Sequence, residues 1–100
     1  MSARRQRQMC IRDSDYVLSF KDINPKAKTH LLIIPKEPFI DISDFLQNAD
    51  KFYQSKFWES VDEIINNLGF RDQGFQIKTH KGKDGGQEVF HFHLHLLANV

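Results

Sequence analysis

The feature of this sequence that most constrains its fold is a row of three histidines near the C-terminal end. His91, His93 and His95 occupy every second position, and apolar residues stand between them. In a β-strand, residues i, i+2 and i+4 share one face, whereas a helix would scatter them round its circumference. The pattern therefore predicts a strand over 88–98 with three imidazoles on one face and a buried apolar face opposite.

Three imidazoles in such a row are expected to be largely neutral. Two imidazolium ions about 7 Å apart repel each other by about 2 kcal/mol at an effective dielectric constant near 20. This repulsion favours the loss of protons at neutral pH and leaves at least one ring nitrogen with a free lone pair. Such a nitrogen can serve as a nucleophile, a general base or a metal ligand.

The remaining pattern predicts an α+β fold. Apolar and β-branched residues predict strands at 16–20, 30–34 and 74–79,. With the histidine strand, they form an antiparallel β-sheet of about four to five strands. A hairpin joins the last two strands, and one face is covered by a helix.

Two helical segments are predicted between the second and third strands. The long one covers 51–68, with Asp50 as its N-cap and Gly69 at its end,. Its apolar stripe is formed by Phe57, Val61, Ile64, Ile65 and Leu68,. Ser43 is expected to cap a short helical turn at 44–48 that buries Phe45 and Leu46.

Length and composition favour one small domain, which we place at 14–100 of the 100 residues,. Residues 1–13 are expected to be a basic, flexible segment carrying Arg4, Arg5 and Arg7,. A net charge of +1 gives no support for a specific nucleic-acid partner,. No apolar run is long enough to cross a bilayer, so no membrane partner is expected. The single Cys10 excludes an internal disulfide and favours the cytoplasm,.

A glycine pair directly before the histidines adds a second chemical signal. Gly85 and Gly86 would let backbone N–H groups approach an anion closely, as in phosphate-binding nests,. Three interpretations of the histidines remain open at this point. They could be polar residues on a solvated face. A pair of them could bind zinc, with Glu88 or His30 as a further ligand. Or one of them could attack phosphorus.

The sequence resembles the histidine triad (HIT) family, and within it the Hint branch. His-Phe-His-Leu-His-Leu-Leu at 91–97 fits the family signature of three histidines separated by apolar residues. The segments 20–36 and 84–90 are similar to two further blocks of the Hint branch. The resemblance implies a purine nucleoside phosphoramidase or related nucleotide hydrolase, usually a homodimer, with no cofactor and no metal.

The resemblance also implies roles for particular residues. His93 would attack the α-phosphorus of an AMP-type conjugate and form a nucleotidyl-histidine, while His91 and His30 would orient it. His95 would contact the phosphate and assist the leaving group. Asp22 would bind the ribose hydroxyls. Phe20, Ile23 and Leu32 would line the base slot, and Gly86, Gln87 and Val89 would hold the phosphate.

Several positions depart from the family pattern. His80 stands where the family commonly has an amide side chain near the phosphate, and Glu88 favours a bacterial-type member. No strand or Cys pair is recognisable before Asp15, and Ala98-Asn99 replaces a frequent Gly-Gly pair. Two other functions stay open: a dinucleoside polyphosphate hydrolase of the same family, and a non-catalytic nucleotide-binding or scaffold protein.

Overall fold

The computed structural model describes residues 10–87 and 89–99, so Arg4, Arg5, Arg7 and Glu88 lie outside the described part. Five strands and two helices follow one another in this part. They are β1 (Cys10–Asp13), β2 (Val17–Lys21), β3 (Thr29–Pro35), α1 (Ile42–Asn48), α2 (Lys51–Leu68), β4 (Gln76–Lys78) and β5 (Leu94–Ala98). The strands form one antiparallel sheet in the order β1-β2-β3-β5-β4. The predicted α+β fold is therefore confirmed.

Helix α2 begins and ends where the sequence predicts. The carboxylate of Asp50 accepts a hydrogen bond from the N–H of Tyr53 at 2.8 Å, which satisfies one of the free N–H groups of the first turn,. Gly69 adopts φ 77° and closes the helix with a bond from its N–H to the carbonyl of Ile65,. The predicted apolar stripe is buried except for its last member, Leu68, which is 40% exposed.

Helix α1 differs from the prediction at its start and on one face. The cap is Asp41, whose carboxylate accepts from the N–H of Asp44 at 2.8 Å, so Ser43 is not the N-cap as predicted. Phe45 is fully buried as predicted, but Leu46 is 53% exposed. Successive residues of a helix point about 100° apart, and only one of this pair can face the sheet.

Strand limits are the other difference from the predictions. Strand β1 was not predicted, because the residues before Ser14 show no alternation. The third predicted strand is shorter and covers only Gln76–Lys78. The histidine strand begins at Leu94, which pairs with Ile33 of β3, rather than near 88. Upstream of Leu94 the chain bonds to a loop instead, through the N–H of Phe92 and the carbonyl of Phe39 at 2.7 Å.

The main core lies between α2 and one face of the sheet. Phe45 is at its centre, with ring centroids 4.9 Å from both Phe57 and Phe92. Val17, Ile33 and three residues of β5 also belong to this cluster: Leu94, Leu96 and Ala98. The helix therefore covers one face of the sheet and leaves the other available. Within the described residues, no helix is long and apolar enough to cross a membrane.

Replacing Phe45 with alanine tests this packing. Phe45→Ala should destabilise the fold by about 3–5 kcal/mol, because it removes a buried ring and leaves a cavity. Leu46→Ala, in the same helix, should change the free energy of unfolding by less than about 1 kcal/mol, because Leu46 is largely exposed,. Urea denaturation of both variants measures the difference. Equal losses would contradict the burial described here.

Candidate functional site

The histidines lie on the face of the sheet that α2 does not cover. Phe92, Leu94 and Leu96 are at most 1% exposed and point into the core. Their burial turns His93 and His95 to the opposite side, where their ring centroids are 5.0 Å apart,. His91 lies two residues before His93, and its Nε2 donates to the carbonyl of Pro35 at 3.2 Å.

Two adjoining cavities open on this face. The first, of about 440 Å³, is here named the His93 cavity; it is lined by Asp22, Asn24, Leu32, His80, Gly86, Gln87, Val89, His93 and His95. The second, of about 430 Å³, is named the His30 cavity; it is lined by Asp22, Asn24, Lys26, His30, Lys78, His80, His95 and Leu97. Four residues border both: Asp22, Asn24, His80 and His95.

His93 carries its lone pair on the nitrogen that a nucleophile needs. Its Nδ1 lies 2.7 Å from the carbonyl oxygen of His91. A carbonyl can only accept, so Nδ1 carries the proton and Nε2 of the neutral ring is unprotonated. The hydroxyl of Thr79 donates to the carbonyl of His93 at 2.8 Å and ties this residue to the end of β4.

A chain of hydrogen bonds sets the protons on His30 and His95. The backbone N–H of Lys26 donates to Nδ1 of His30 at 3.0 Å, so the neutral ring carries its proton on Nε2,. That Nε2 lies 3.0 Å from Nδ1 of His95 and 3.5 Å from a carboxylate oxygen of Asp22. Because Nδ1 of His95 accepts this bond, its Nε2–H is left as a donor towards the cavities.

The environment of His95 keeps this ring neutral at pH 7. Burial is the main cause, and repulsion from the charged forms of His93, His30 and His80 adds to it. Together they lower the pKa of His95 from 6.5 to about 4, against an opposing effect of Asp22. His95 is therefore a neutral hydrogen-bond donor at physiological pH.

The predicted base and ribose residues follow the turn after β2. Asp22 accepts a bond from the N–H of Asn24 at 2.8 Å and presents its carboxylate to both cavities. Leu32 lines the His93 cavity. Phe20 is 1% exposed and packs in a small cluster on this face of the sheet, whereas Ile23 is 58% exposed. Phe20 and Ile23 line neither cavity, so only Leu32 of the predicted base slot meets one directly.

The glycine turn forms another wall of the His93 cavity. Gly86 has φ 83°, a conformation that residues with a side chain rarely adopt,. The amide of Gln87 is buried and engaged: its Oε1 accepts from Gly82 N–H at 2.7 Å, and its Nε2 donates to the carbonyls of Ile40 and Val89. The side chain of Gln87 thus holds the turn. The backbone N–H groups of Gly86 and Gln87 are also bonded within it, to the carbonyls of Lys83 at 3.1 Å and Gly82 at 3.0 Å, so the turn shapes the cavity wall and does not offer these two N–H groups to an anion as the sequence suggested.

His80 borders both cavities from the end of β4. Its Nδ1 donates to the carbonyl of Gly85 at 2.8 Å, which links it to the glycine turn. Its ring lies edge-on to that of His95, with centroids 5.6 Å apart. The position where the resemblance leads us to expect an amide side chain therefore places an imidazole beside both cavities.

One group among the described residues has the ligand types of a metal site. Nitrogen or oxygen atoms of Asp22, His30 and His95 lie within 4.8 Å of one another. The nitrogens that approach each other are, however, the donor and acceptor of the His30–His95 hydrogen bond. A metal would need both as lone pairs, so this arrangement fits a hydrogen-bonded relay better than a metal centre.

Several lining residues were not predicted. Asn24 follows Asp22 by two residues and closes an Asx turn, which its sequence position could have indicated,. Lys78 precedes His80 by two residues, so strand periodicity could have placed both on one face. Nothing in the sequence identifies Lys26 or Leu97 as lining residues, because they reach the His30 cavity only through the fold.

The low pKa of His95 predicts a measurable pH response. Because its pKa is lower in the folded state, the unfolded chain binds more protons between pH 6.5 and about 4,. His95 therefore contributes stability that is present above pH 6.5 and is lost as the pH falls towards 4. An NMR titration of the ring protons should show His95 charging near pH 4. A midpoint near 6.5 would contradict the environment described.

Comparisons with known protein sequences match this chain to one family. The HIT domain family model matches residues 3–100. The chain is 37% identical over 88 residues to an uncharacterised HIT-like protein of Rickettsia prowazekii, covering 88% of this chain and 73% of that protein. It is 44% identical over 85 residues to protein HitA of Neisseria gonorrhoeae, covering 82% of this chain and 75% of HitA.

Solved structures give the same result. A histidine triad protein from Clostridium difficile has a TM-score of 0.82 at 34% identity, covering 92% of this chain and 79% of that one. A HIT family hydrolase from Clostridium thermocellum has a TM-score of 0.80 at 32% identity, covering 91% and 78%. The histidine motif, the fold and these matches together show that the chain belongs to the HIT domain family.

Proposed function

We propose that this protein is a bacterial-type member of the Hint branch that hydrolyses the P–N bond of purine nucleoside 5′-phosphoramidates. The observation that carries the proposal is the state of His93. Its Nδ1 proton is bonded to the carbonyl of His91, and the residue lines a cavity bordered by Gly86. Its Nε2 lone pair can therefore face a phosphorus atom placed there. The HIT family hydrolase among the structural neighbours supports hydrolytic chemistry of this general kind.

Each part of the substrate has a matching part of the site. The phosphate would lie in the His93 cavity, between the Nε2–H of His95 and the wall that the glycine turn forms at Gly86. Asp22 would accept hydrogen bonds from the ribose hydroxyls, since its carboxylate borders the same cavity,. Leu32 would contact the base directly, with Phe20 packed behind it and Ile23 at the exposed rim.

Two displacements would complete the reaction. In the first, the Nε2 lone pair of His93 bonds to the α-phosphorus and the P–N bond breaks. Its electron pair stays on the nitrogen, which takes a proton from an acid of the site and leaves as the neutral amine. In the second, a water oxygen bonds to phosphorus and gives its proton to the conjugate base of that acid, the P–Nε2 bond breaks, and AMP is released with His93 restored. This division replaces one difficult step by two easier ones. The neutral His95 stabilises the phosphoryl oxygens in both steps through its Nε2–H.

A specific observation favours a second substrate class in the same family. Lys26 and Lys78 both line the His30 cavity, which adjoins the His93 cavity at His95. Two lysines beside the phosphate position could hold further phosphates of a dinucleoside polyphosphate. Comparing kcat/KM for an adenosine phosphoramidate with that for a diadenosine polyphosphate decides between the two. A cytoplasmic location remains part of the proposal and is supported by the single cysteine,.

Activity measurements on His93 variants test the proposed function. The wild-type protein should release AMP from adenosine 5′-phosphoramidate, and His93→Ala should lower the rate by about 10³-fold or more, because it removes the attacking nitrogen. Mass spectrometry of the wild-type protein trapped during turnover should find a nucleotidyl group on His93.

A matched control is Asn66→Ala, on an exposed position of α2, which covers the opposite face of the sheet. This variant should keep the wild-type rate. Full activity of His93→Ala would exclude the nucleotidyl-histidine mechanism. Binding of AMP with no release of product from any conjugate would instead indicate a non-catalytic nucleotide-binding protein.

We also propose the homodimer implied by the resemblance, formed along the free edge of β4. This strand lies at the edge of the sheet, where its outer N–H and C=O groups can pair with another strand,. Ile77 of β4 and Phe75 directly before it are apolar and 43% and 37% exposed. A second copy would cover them and extend the sheet.

Light scattering of purified protein tests this assembly. The wild-type protein should have the mass of a dimer, and Ile77→Lys should have that of a monomer, because it places a charge in the proposed apolar contact. Leu46→Lys, at a similarly exposed apolar position on α1, should leave the dimer intact. A monomeric wild-type protein at micromolar concentration would rule the dimer out.

A further inference from the structure

The proposed reaction requires a proton for the departing nitrogen, and most of the imidazoles around the site cannot supply it. His95 is neutral at pH 7 because its pKa is lowered to about 4. A neutral imidazole N–H is far too weak an acid to protonate an amine. Nδ1 of His93 is bonded to a carbonyl, and its Nε2 must remain unprotonated to attack.

His30 is excluded by its hydrogen bonds, and His91 is excluded by its position. Both nitrogens of His30 are occupied, one by the N–H of Lys26 and the other by His95. A second proton on His30 would break its bond to the Lys26 N–H. His91 donates from Nε2 to the carbonyl of Pro35 and lines neither cavity.

His80 differs from these four histidines because it borders both cavities and has one ring nitrogen left to gain or lose a proton. Its Nδ1 donates to the carbonyl of Gly85 at 2.8 Å, and this bond is kept whether the ring is neutral or charged. Its Nε2 is then the nitrogen that can gain and lose a proton. The side chain borders the His93 cavity and the His30 cavity, and its ring lies 5.6 Å from that of His95. It therefore stands beside the proposed phosphate position with a titratable nitrogen.

We propose that His80 is the general acid that protonates the leaving nitrogen, a catalytic role that an amide side chain at this position could not perform. This inference rests on the proposed function and gives His95 the separate task of hydrogen bonding to the phosphoryl oxygens. The bond to Gly85 orients the ring, and the adjoining His30 cavity gives the departing amine a path away from His93.

The proton balance is complete with the residues present. As Nε2 of His93 bonds to phosphorus, the P–N electron pair moves onto nitrogen, which takes the Nε2 proton of the His80 imidazolium. The amine leaves neutral, and His80 becomes a neutral imidazole. In the second displacement, the unprotonated Nε2 of His80 accepts a proton from the attacking water and returns to the imidazolium form.

Charged and titratable groups on three segments surround His80 and influence its proton. On the segment of His80 itself they are Lys78, Lys81, Lys83 and Asp84; from the turn after β2 and the start of β3 they are Asp22, Lys26 and His30; and from the histidine segment they are His93 and His95. Lys81 is paired with Asp41 at 3.6 Å. Asp22 borders the same two cavities as His80.

The test compares two leaving groups in wild-type protein and in His80→Asn, the amide that the family commonly carries. One substrate is an adenosine 5′-phosphoramidate of an alkylamine, which needs a proton to leave. The other is the p-nitrophenyl ester of AMP, whose phenolate leaves without one. His80→Asn should lower kcat/KM for the alkylamine substrate by about 10²-fold or more and leave the nitrophenyl ester almost unchanged.

The pH dependence gives a second readout that a purely structural role would not change. With the alkylamine substrate, wild-type kcat/KM should fall as the pH rises, because less of the imidazolium form of the acid remains, and this fall should be absent in His80→Asn. Asn66→Ala, the exposed control position on α2, should behave as wild type. Equal losses on both substrates, or no loss on either, would overturn the assignment to His80. Wild-type protein that releases AMP from neither substrate would overturn the proposed function and the assignment together.

Discussion

The burial of Phe92, Leu94 and Leu96 against the helix layer is the constraint on which the site depends. These side chains are at most 1% exposed, and the alternation of an extended chain then turns His93 and His95 to the uncovered face,. A shift of one residue in the pairing of β5 would exchange the two sets and bury the imidazoles. The energy that holds the register is therefore the burial of apolar side chains far from any substrate.

The register of β3 and β5 also determines which groups meet across the sheet. Leu32 is opposite His95 and His30 is opposite Leu97, so the imidazole of His30 reaches the His95 ring diagonally. Backbone groups then place the protons: the Lys26 N–H on His30 and the His91 carbonyl on His93. In His93 and His95, Nδ1 is hydrogen-bonded within the protein. That bond determines whether Nε2 of the neutral ring carries a proton, so His93 can act as a nucleophile and His95 as a donor.

Features that depend on local chemistry could be predicted from the sequence, and features that depend on a distant partner could not. Helix α2 was predicted with its cap Asp50 and its end at Gly69, because capping acts within one turn,. The start of β5 was missed, since the chain before Leu94 bonds to the distant Phe39 carbonyl instead of continuing the strand pairing. The cap of α1 was assigned to Ser43 rather than Asp41, because two capping residues compete there and only geometry chooses between them.

The same distinction applies to the site. Asp22, His30, His93 and His95 were predicted as site residues, and the fold brings them together. The engagement of the Gln87 amide with Gly82, Ile40 and Val89 could not be foreseen, because all three partners bond through backbone atoms. Lys26 likewise enters the site through its backbone N–H, which carries no signal in its residue type.

The central claim is that backbone hydrogen bonding leaves the lone pair of His93 on Nε2. Nitrogen-15 NMR of the imidazoles measures this directly, because protonated and unprotonated ring nitrogens have well-separated chemical shifts. At neutral pH, His93 should show a protonated Nδ1 and an unprotonated Nε2. A His93 ring protonated on Nε2 would contradict the account, because no nucleophilic nitrogen would then face the cavity.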